Sequence, residues 1–265
     1  FSALIVVMGL APIVAPMAGG FLLNLAGWKS LFLALAGLSL LIILLILFGL
    51  KESKDPDPSV SLQLKPVLKA YWQILRTPSF YWYATAAGMS MAGVFTYIAG
   101  SPTVIREVLG FDEYYFGWIF GSNALGYIGF SQLNRLFLKH FNTLNLSRNI
   151  ALIYNLLAVS IFSQALAGIP YPILFLINLF LFLSCLGMLN PNMQALALEP
   201  FKENAGVASA LIGSLRMLVG TFCSALLGIL STGDAVPMTS IMLISGIIMI
   251  YSLSKSKRLI NKAYA

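Results

Sequence analysis

Residues 38–48 read LSLLIILLILF, and Ser39 is the only polar side chain among them. A transmembrane β-strand alternates apolar and polar residues over about 10 positions, so a continuous run of this kind argues against a barrel strand. An α-helix closes all its backbone hydrogen bonds internally, and about 20 apolar residues at 1.5 Å of rise cross a hydrocarbon core of about 30 Å. Widened to 30–50, the run has that length. Seven more runs lie at 2–23, 80–105, 113–137, 149–168, 171–193, 206–230 and 237–254. The eight together take up roughly two thirds of the chain, so the reading is an all-α, polytopic helical membrane protein.

Composition agrees. The 265 residues are 59% hydrophobic and 9% charged, against about 45–50% and about 25% in soluble domains, and mean hydropathy is +0.88. The formal net charge of +7 could signal nucleic acid, but the positions of the charges point to membrane topology instead. With the chain starting on the cytoplasmic side, thirteen Lys and Arg fall inside (Lys51, Lys54, Lys65, Lys69, Arg76, Arg135, Lys139, Arg148, Lys202, Lys255, Lys257, Arg258 and Lys262). Only Lys29 and Arg106 fall outside, and Arg216 lies within a span. The C-terminus is thus expected in the cytoplasm. Cys185 and Cys223 are mid-span, where a thiol is a small apolar filler, and the single histidine, His140, is in a loop, so no disulfide framework or metal site is indicated.

Residues 51–79, beginning KESKDPDPS, carry five basic residues and four of the twelve prolines. They read as a cytoplasmic linker between residues 1–50, with two spans, and residues 80–265, with six spans and a basic tail. In the linker's second half Leu64, Val67, Leu68, Tyr71 and Leu75 recur at helical spacing opposite Lys65, Lys69 and Arg76, with Trp72 beside them. That pattern predicts an amphipathic helix on the membrane surface. Phe1 is not an initiator, and no basic region precedes the first apolar core, so a signal peptide is not indicated and the chain is expected to be the C-terminal part of something longer.

Three segments carry a resemblance. GLAPIVAPMAGG (Gly9–Gly20) has Pro16, Gly19 and Gly20 of an antiporter motif, with Ala11 and Ala15 where that motif has glycines. YIAGSPTVIREVLGFDEYYFGWIFGSNALGYIG (Tyr97–Gly129) and NPNMQALALEPFKENAGVASALIGSLRMLVG (Asn190–Gly220) are the more specific pair. With them the chain resembles the bicyclomycin and chloramphenicol resistance (Bcr/CflA) drug-exporter branch of the major facilitator superfamily. The resemblance aligns its eight spans with the family's helices five to twelve. It implies a proton-coupled exporter of small, drug-like compounds in the bacterial cytoplasmic (inner) membrane, a monomer when full length, with a proton gradient and no cofactor as its energy source. Its substrate is expected near the bilayer midplane between the halves, and rocking of the halves exposes it to alternate sides. A facilitator-type metabolite transporter of the same fold and a non-transporting remnant are the alternatives.

The residues themselves add candidates. Pro12 and Pro16 each remove a helical hydrogen bond, and Ala11, Ala15 and Gly19 form a small-residue stripe that the seventh span repeats with Ala205, Ser209 and Gly213. These, with Gly20, are candidates for conformational coupling. Arg216 is mid-span, where a central arginine costs about 2.5–3.5 kcal/mol, and none of the nine Asp and Glu lies deep in a span. Its partner is then either a charge on other helices or on the substrate, or a cap of carbonyls and Asn/Gln side chains. Tyr97, Ser101, Asn123, Gln132 and Asn190 complete the candidate cavity wall, each equally readable as interhelical glue. Phe80–Tyr83 reads as an interfacial aromatic belt. Walker-loop, nucleophile-elbow and metal-protease spacings are absent from the sequence, and an enzyme is not expected.

Overall fold

The computed structural model describes residues 18–23, 25–49, 64–201 and 205–263. They are helical almost throughout and fall into two compact units, one within residues 1–63 and one within 64–265.

In the first unit, residues 18–23 are helical and α1 runs Trp28–Gly49. Gly27, at φ 72°, supplies the left-handed residue that turns the chain between them. Ser30 Oγ then donates back to the Leu22 carbonyl at 2.8 Å and ties the turn. Every residue the quoted stretch contributes to α1 is exposed, as an all-apolar helix in lipid allows.

The second unit holds seven α-helices among its described residues: α2 (Leu64–Arg76), α3 (Pro78–Pro102), α4 (Glu113–Phe137), α5 (Thr143–Leu166), α6 (Pro172–Leu198), α7 (Ala205–Leu230) and α8 (Val236–Ala263). By length and composition α1, α5, α6, α7 and α8 can each cross a membrane. Helices α3 and α4 have 25 residues apiece, or about 37 Å, and are as long but more polar. The first expected span, with Pro12 and Pro16, lies outside the described residues apart from its end, where Gly19 and Gly20 are helical.

Helix α3 is the centre of the bundle and packs on α6, α7 and α8. Its polarity is that of small side chains: Ala84, Ala86, Ala87, Gly88, Ser90, Ala92 and Gly93 are all buried. A Cβ at Gly88 would press on Val219 of α7, one at Gly93 on Leu186 of α6, and one at Gly100 on Met238 of α8. In lipid, close van der Waals approach of this kind drives association. Helices α5 and α8 pack on each other, α5 also on α6, and α4 rests on α6.

Some expectations are corrected. The fifth span begins at Thr143, six residues before the hydropathy boundary, because Asn142 Oδ1 caps Leu144 N at 2.9 Å and a polar first turn is therefore helical. In α2 the buried anchor is Ile74, whereas Leu68 and Trp72 are exposed and Arg76 lies 4.7 Å over the Trp72 ring. The aromatic belt divides: Phe80 and Tyr83 are core, while Tyr81 is exposed and Trp82 packs edge-on against both Tyr81 and Tyr251. On α7 the close approach is at Gly220, where a Cβ would meet Phe95 and Met91; nothing lies within 4 Å of one built at Gly213.

Candidate functional site: an arginine-centred polar network

Asn190 and Gln194 are four residues apart and share one face of α6. Pro191 follows Asn190 inside the helix and, lacking an N–H, leaves the Gly187 carbonyl without its helical donor. At Gly187 α6 comes so close to α4 that an added Cβ would collide with the Tyr127 carbonyl oxygen.

Onto this face α7 projects Arg216. Its Nη1 donates to Gln194 Oε1 at 2.7 Å and its Nη2 to Asn190 Oδ1 at 2.9 Å. Ser90 of α3 donates to the same Asn190 oxygen at 2.6 Å, and Asn190 Nδ2 donates to the Tyr127 hydroxyl of α4 at 2.9 Å. Four helices thus meet at one amide. Asn190 is buried, Arg216 half-buried, and Arg216 Nε is enclosed without a partner among the described residues. Of the two origins left open for the Arg216 partner, the structure shows the Asn/Gln cap. Both acceptors are neutral, so the charge is solvated by the protein and not cancelled.

The other candidates lie elsewhere in the bundle. Asn123 Nδ2 donates to the Tyr97 hydroxyl at 2.9 Å, and the Tyr97 ring stacks on Phe120 with centroids 5.4 Å apart. Both Tyr97 and Asn123 are buried and face each other rather than Arg216. The Ser101 hydroxyl donates to the Ile98 carbonyl at 3.4 Å, the acceptor that Pro102 cannot serve, and a π-helical turn, Thr103–Val108, follows. Gln132 is half-buried. Near the 137 end of α4, Asn134 and Asn192 exchange two hydrogen bonds, at 2.6 and 3.0 Å.

Sequence reading named Arg216 and Asn190, and the structure brings them together. It missed Ser90 and Tyr127. A mid-span serine ordinarily bonds its own preceding turn, so Ser90 gave no signal; Tyr127, one turn from Asn123, was the readable clue.

The sequence pattern of the Major Facilitator Superfamily matches residues 1–224, and that stretch contains Ser90, Tyr127, Asn190, Gln194 and Arg216. The chain belongs to the Major Facilitator Superfamily. It is 34% identical over 251 residues to the MFS-type transporter YdgK of Bacillus subtilis, covering 94% of this chain and 62% of that one. A bicyclomycin resistance protein homolog of Haemophilus influenzae is 26% identical over 238 residues, covering 89% and 59%. The multidrug resistance protein MdtL of Vibrio parahaemolyticus is 26% identical over 215 residues, covering 80% and 52%. The chain thus spans between half and two thirds of the length of these curated relatives. The family and the all-α fold agree with the motifs at Tyr97–Gly129 and Asn190–Gly220, and the helices make this superfamily member a multi-pass membrane protein.

Proposed function

We propose that this chain works as a secondary transporter that exports small, partly apolar drug-like compounds by alternating access, coupled to the proton gradient. The observation that carries the reading is the four-helix network around Arg216. A hydrogen-bonded charge at mid-span depth is expensive in hydrocarbon and characteristic of a substrate or ion pathway. The names of the relatives, bicyclomycin resistance and multidrug resistance, supply the substrate class. The positive-charge distribution supports the bacterial cytoplasmic membrane with the C-terminus inside, and a monomer is the working assembly.

The test is accumulation of ethidium, chloramphenicol and the carboxylate nalidixic acid in efflux-deficient cells expressing the chain, with and without a protonophore. Reduced accumulation that the protonophore abolishes supports a proton-coupled exporter. Facilitated movement insensitive to the gradient supports a facilitator instead, and no effect on any compound refutes transport by this chain.

A further inference from the structure

A guanidinium carries five N–H donors, and Arg216 spends two of them, both on neutral amide oxygens. Among the described residues the carboxylates are Glu107, Asp112, Glu113, Glu199 and Asp234, all at or beyond helix ends, and none pairs with Arg216. Asn190 Oδ1 already accepts two bonds, from Ser90 and from Arg216, and its Nδ2 is committed to Tyr127. The Tyr127 hydroxyl accepts that bond and keeps its own proton to donate. On either side of Asn190, therefore, stand a half-buried cation with unused N–H groups and a half-buried hydroxyl with an unused O–H. No acceptor among the described residues serves the hydroxyl. A planar fork and a hydroxyl that flank one amide and each keep an unused donor match a carboxylate and do not match an amine.

We propose that Arg216 and Tyr127 form an anion subsite, and that the compounds this chain handles carry a carboxylate or a similarly compact anionic group. This rests on the transporter reading for its substrate sense, while the binding chemistry stands on the network alone. Gln194 and Asn190 act as positioning residues that hold the guanidinium across the bundle. Arg216 thereby selects for charge, and the apolar remainder of the compound is left to the surrounding helices.

Thermal shift and calorimetric titration of the detergent-purified chain test the subsite with three matched probes: 4-phenylbutyrate, its amide and 4-phenylbutylamine. Phenylbutyrate is expected to bind and stabilise, and the amide and amine to bind at least about tenfold more weakly. R216Q is expected to weaken phenylbutyrate binding about 10- to 100-fold, Y127F by a smaller factor, and R216K to keep part of it, which guards against loss of fold. Equal affinity for acid and amide overturns the proposal, as does R216Q binding phenylbutyrate normally. Inorganic phosphate or acetate reproducing the full effect overturns the organic-substrate assignment.

Efflux-deficient cells expressing the chain separate the two readings. Protection against chloramphenicol but not against nalidixic acid, a carboxylate, overturns the charge selection and leaves the transporter. Arg216-dependent phenylbutyrate binding without protection against either drug leaves the subsite and removes the exporter.

Discussion

Replacing Gly187 with alanine tests the backbone-to-backbone approach of α6 to α4. The added Cβ would collide with the Tyr127 carbonyl oxygen, 2.8 Å from the carbonyl carbon and 3.1 Å from the Tyr127 Cα, where 3.4–4 Å is ordinary contact. Backbone cannot step aside as a side chain does, so α4 and α6 must part by roughly 0.5–1 Å. A gap of that size forfeits a quarter to a half of each contact well along the crossing. Overpacking of this kind costs about 1–3 kcal/mol, against which alanine returns up to about 1 kcal/mol of helix propensity. The apparent melting temperature in detergent is expected to fall by a few degrees, at about 2–4 °C per kcal/mol for a chain of this size. Two glycines of α4 calibrate the measurement. At Gly126 the Cβ would meet the Phe180 ring and Ser184 Oγ, which can rotate away, so G126A is expected to cost less. At Gly121 nothing lies within 4 Å, and G121A is expected to be neutral or stabilising. Fluorescence-detected size exclusion after heating reads the series. A G187A protein as stable as G121A would refute the close crossing.

Other predictions concern the polar links. N134L and N192L each orphan a buried amide and are expected to cost about 1–3 kcal/mol, while the double variant shows a coupling of about 0.6–1.7 kcal/mol in a double-mutant cycle read by reversible unfolding in mixed micelles; strict additivity would mean the pair is not formed. N190D puts a carboxylate against Arg216, so it is expected to keep or raise the melting temperature while abolishing phenylbutyrate binding, and undiminished binding would contradict the proposed subsite. N190L leaves Ser90, Tyr127 and Arg216 Nη2 without their shared partner and is expected to lower stability by about 1–3 kcal/mol in the same assay. The exposed Leu68 and Trp72 of α2 are expected to lie at the lipid surface: brominated lipids should quench a fluorescence component that W72F removes, and quenching unchanged in W72F would place Trp72 away from the bilayer.

How legible each element was depended on what its side chains do. For α1 the quoted run sufficed, because apart from Ser39 it is continuously apolar and the helix needs no partner to be recognised. Helix α4 was placed at 113–137 from the length of the apolar run, and the structure agrees and adds the cap, Asp112 Oδ1 accepting from Tyr115 N at 2.9 Å. In the site, Arg216 was legible because a charge in a span is always anomalous. Asn190 was named as a candidate too, but not as the partner of Arg216, since Asn190 and Gln194 could equally have faced a loop at the end of a span drawn to stop at 193. Only the helix continuing through Pro191 to Leu198 puts both amides on the α7 side. Tyr97 and Asn123 were rightly singled out as polar, but sequence carries no information on which of two buried polar residues bonds the other.

The polarity of α4 now has a structural cause that bears on how the bundle is specified. Asn123, Tyr127 and Asn134 bond respectively to Tyr97 of α3, Asn190 of α6 and Asn192 of α6. At 100° per residue these three positions fall within about 40° of one another, a single stripe from mid-helix to the 137 end. At an average near 0.6 kcal/mol each, intramembrane hydrogen bonds of this number supply only about 2 kcal/mol, too little to hold a 25-residue helix by themselves. What holds α4 is the glycine crossing, with Gly126 and Gly187 bringing the two backbones together, and van der Waals contact there is insensitive to small rotations. The three links are sensitive: turning α4 by one residue swings all three side chains about 100° away and unpairs two buried amides and the half-buried Tyr127 hydroxyl at once, a penalty larger than the net gain of the bonds. The stripe therefore sets the register of α4 more than its adhesion, and register is what fixes the Tyr127 hydroxyl beside Asn190 and Arg216.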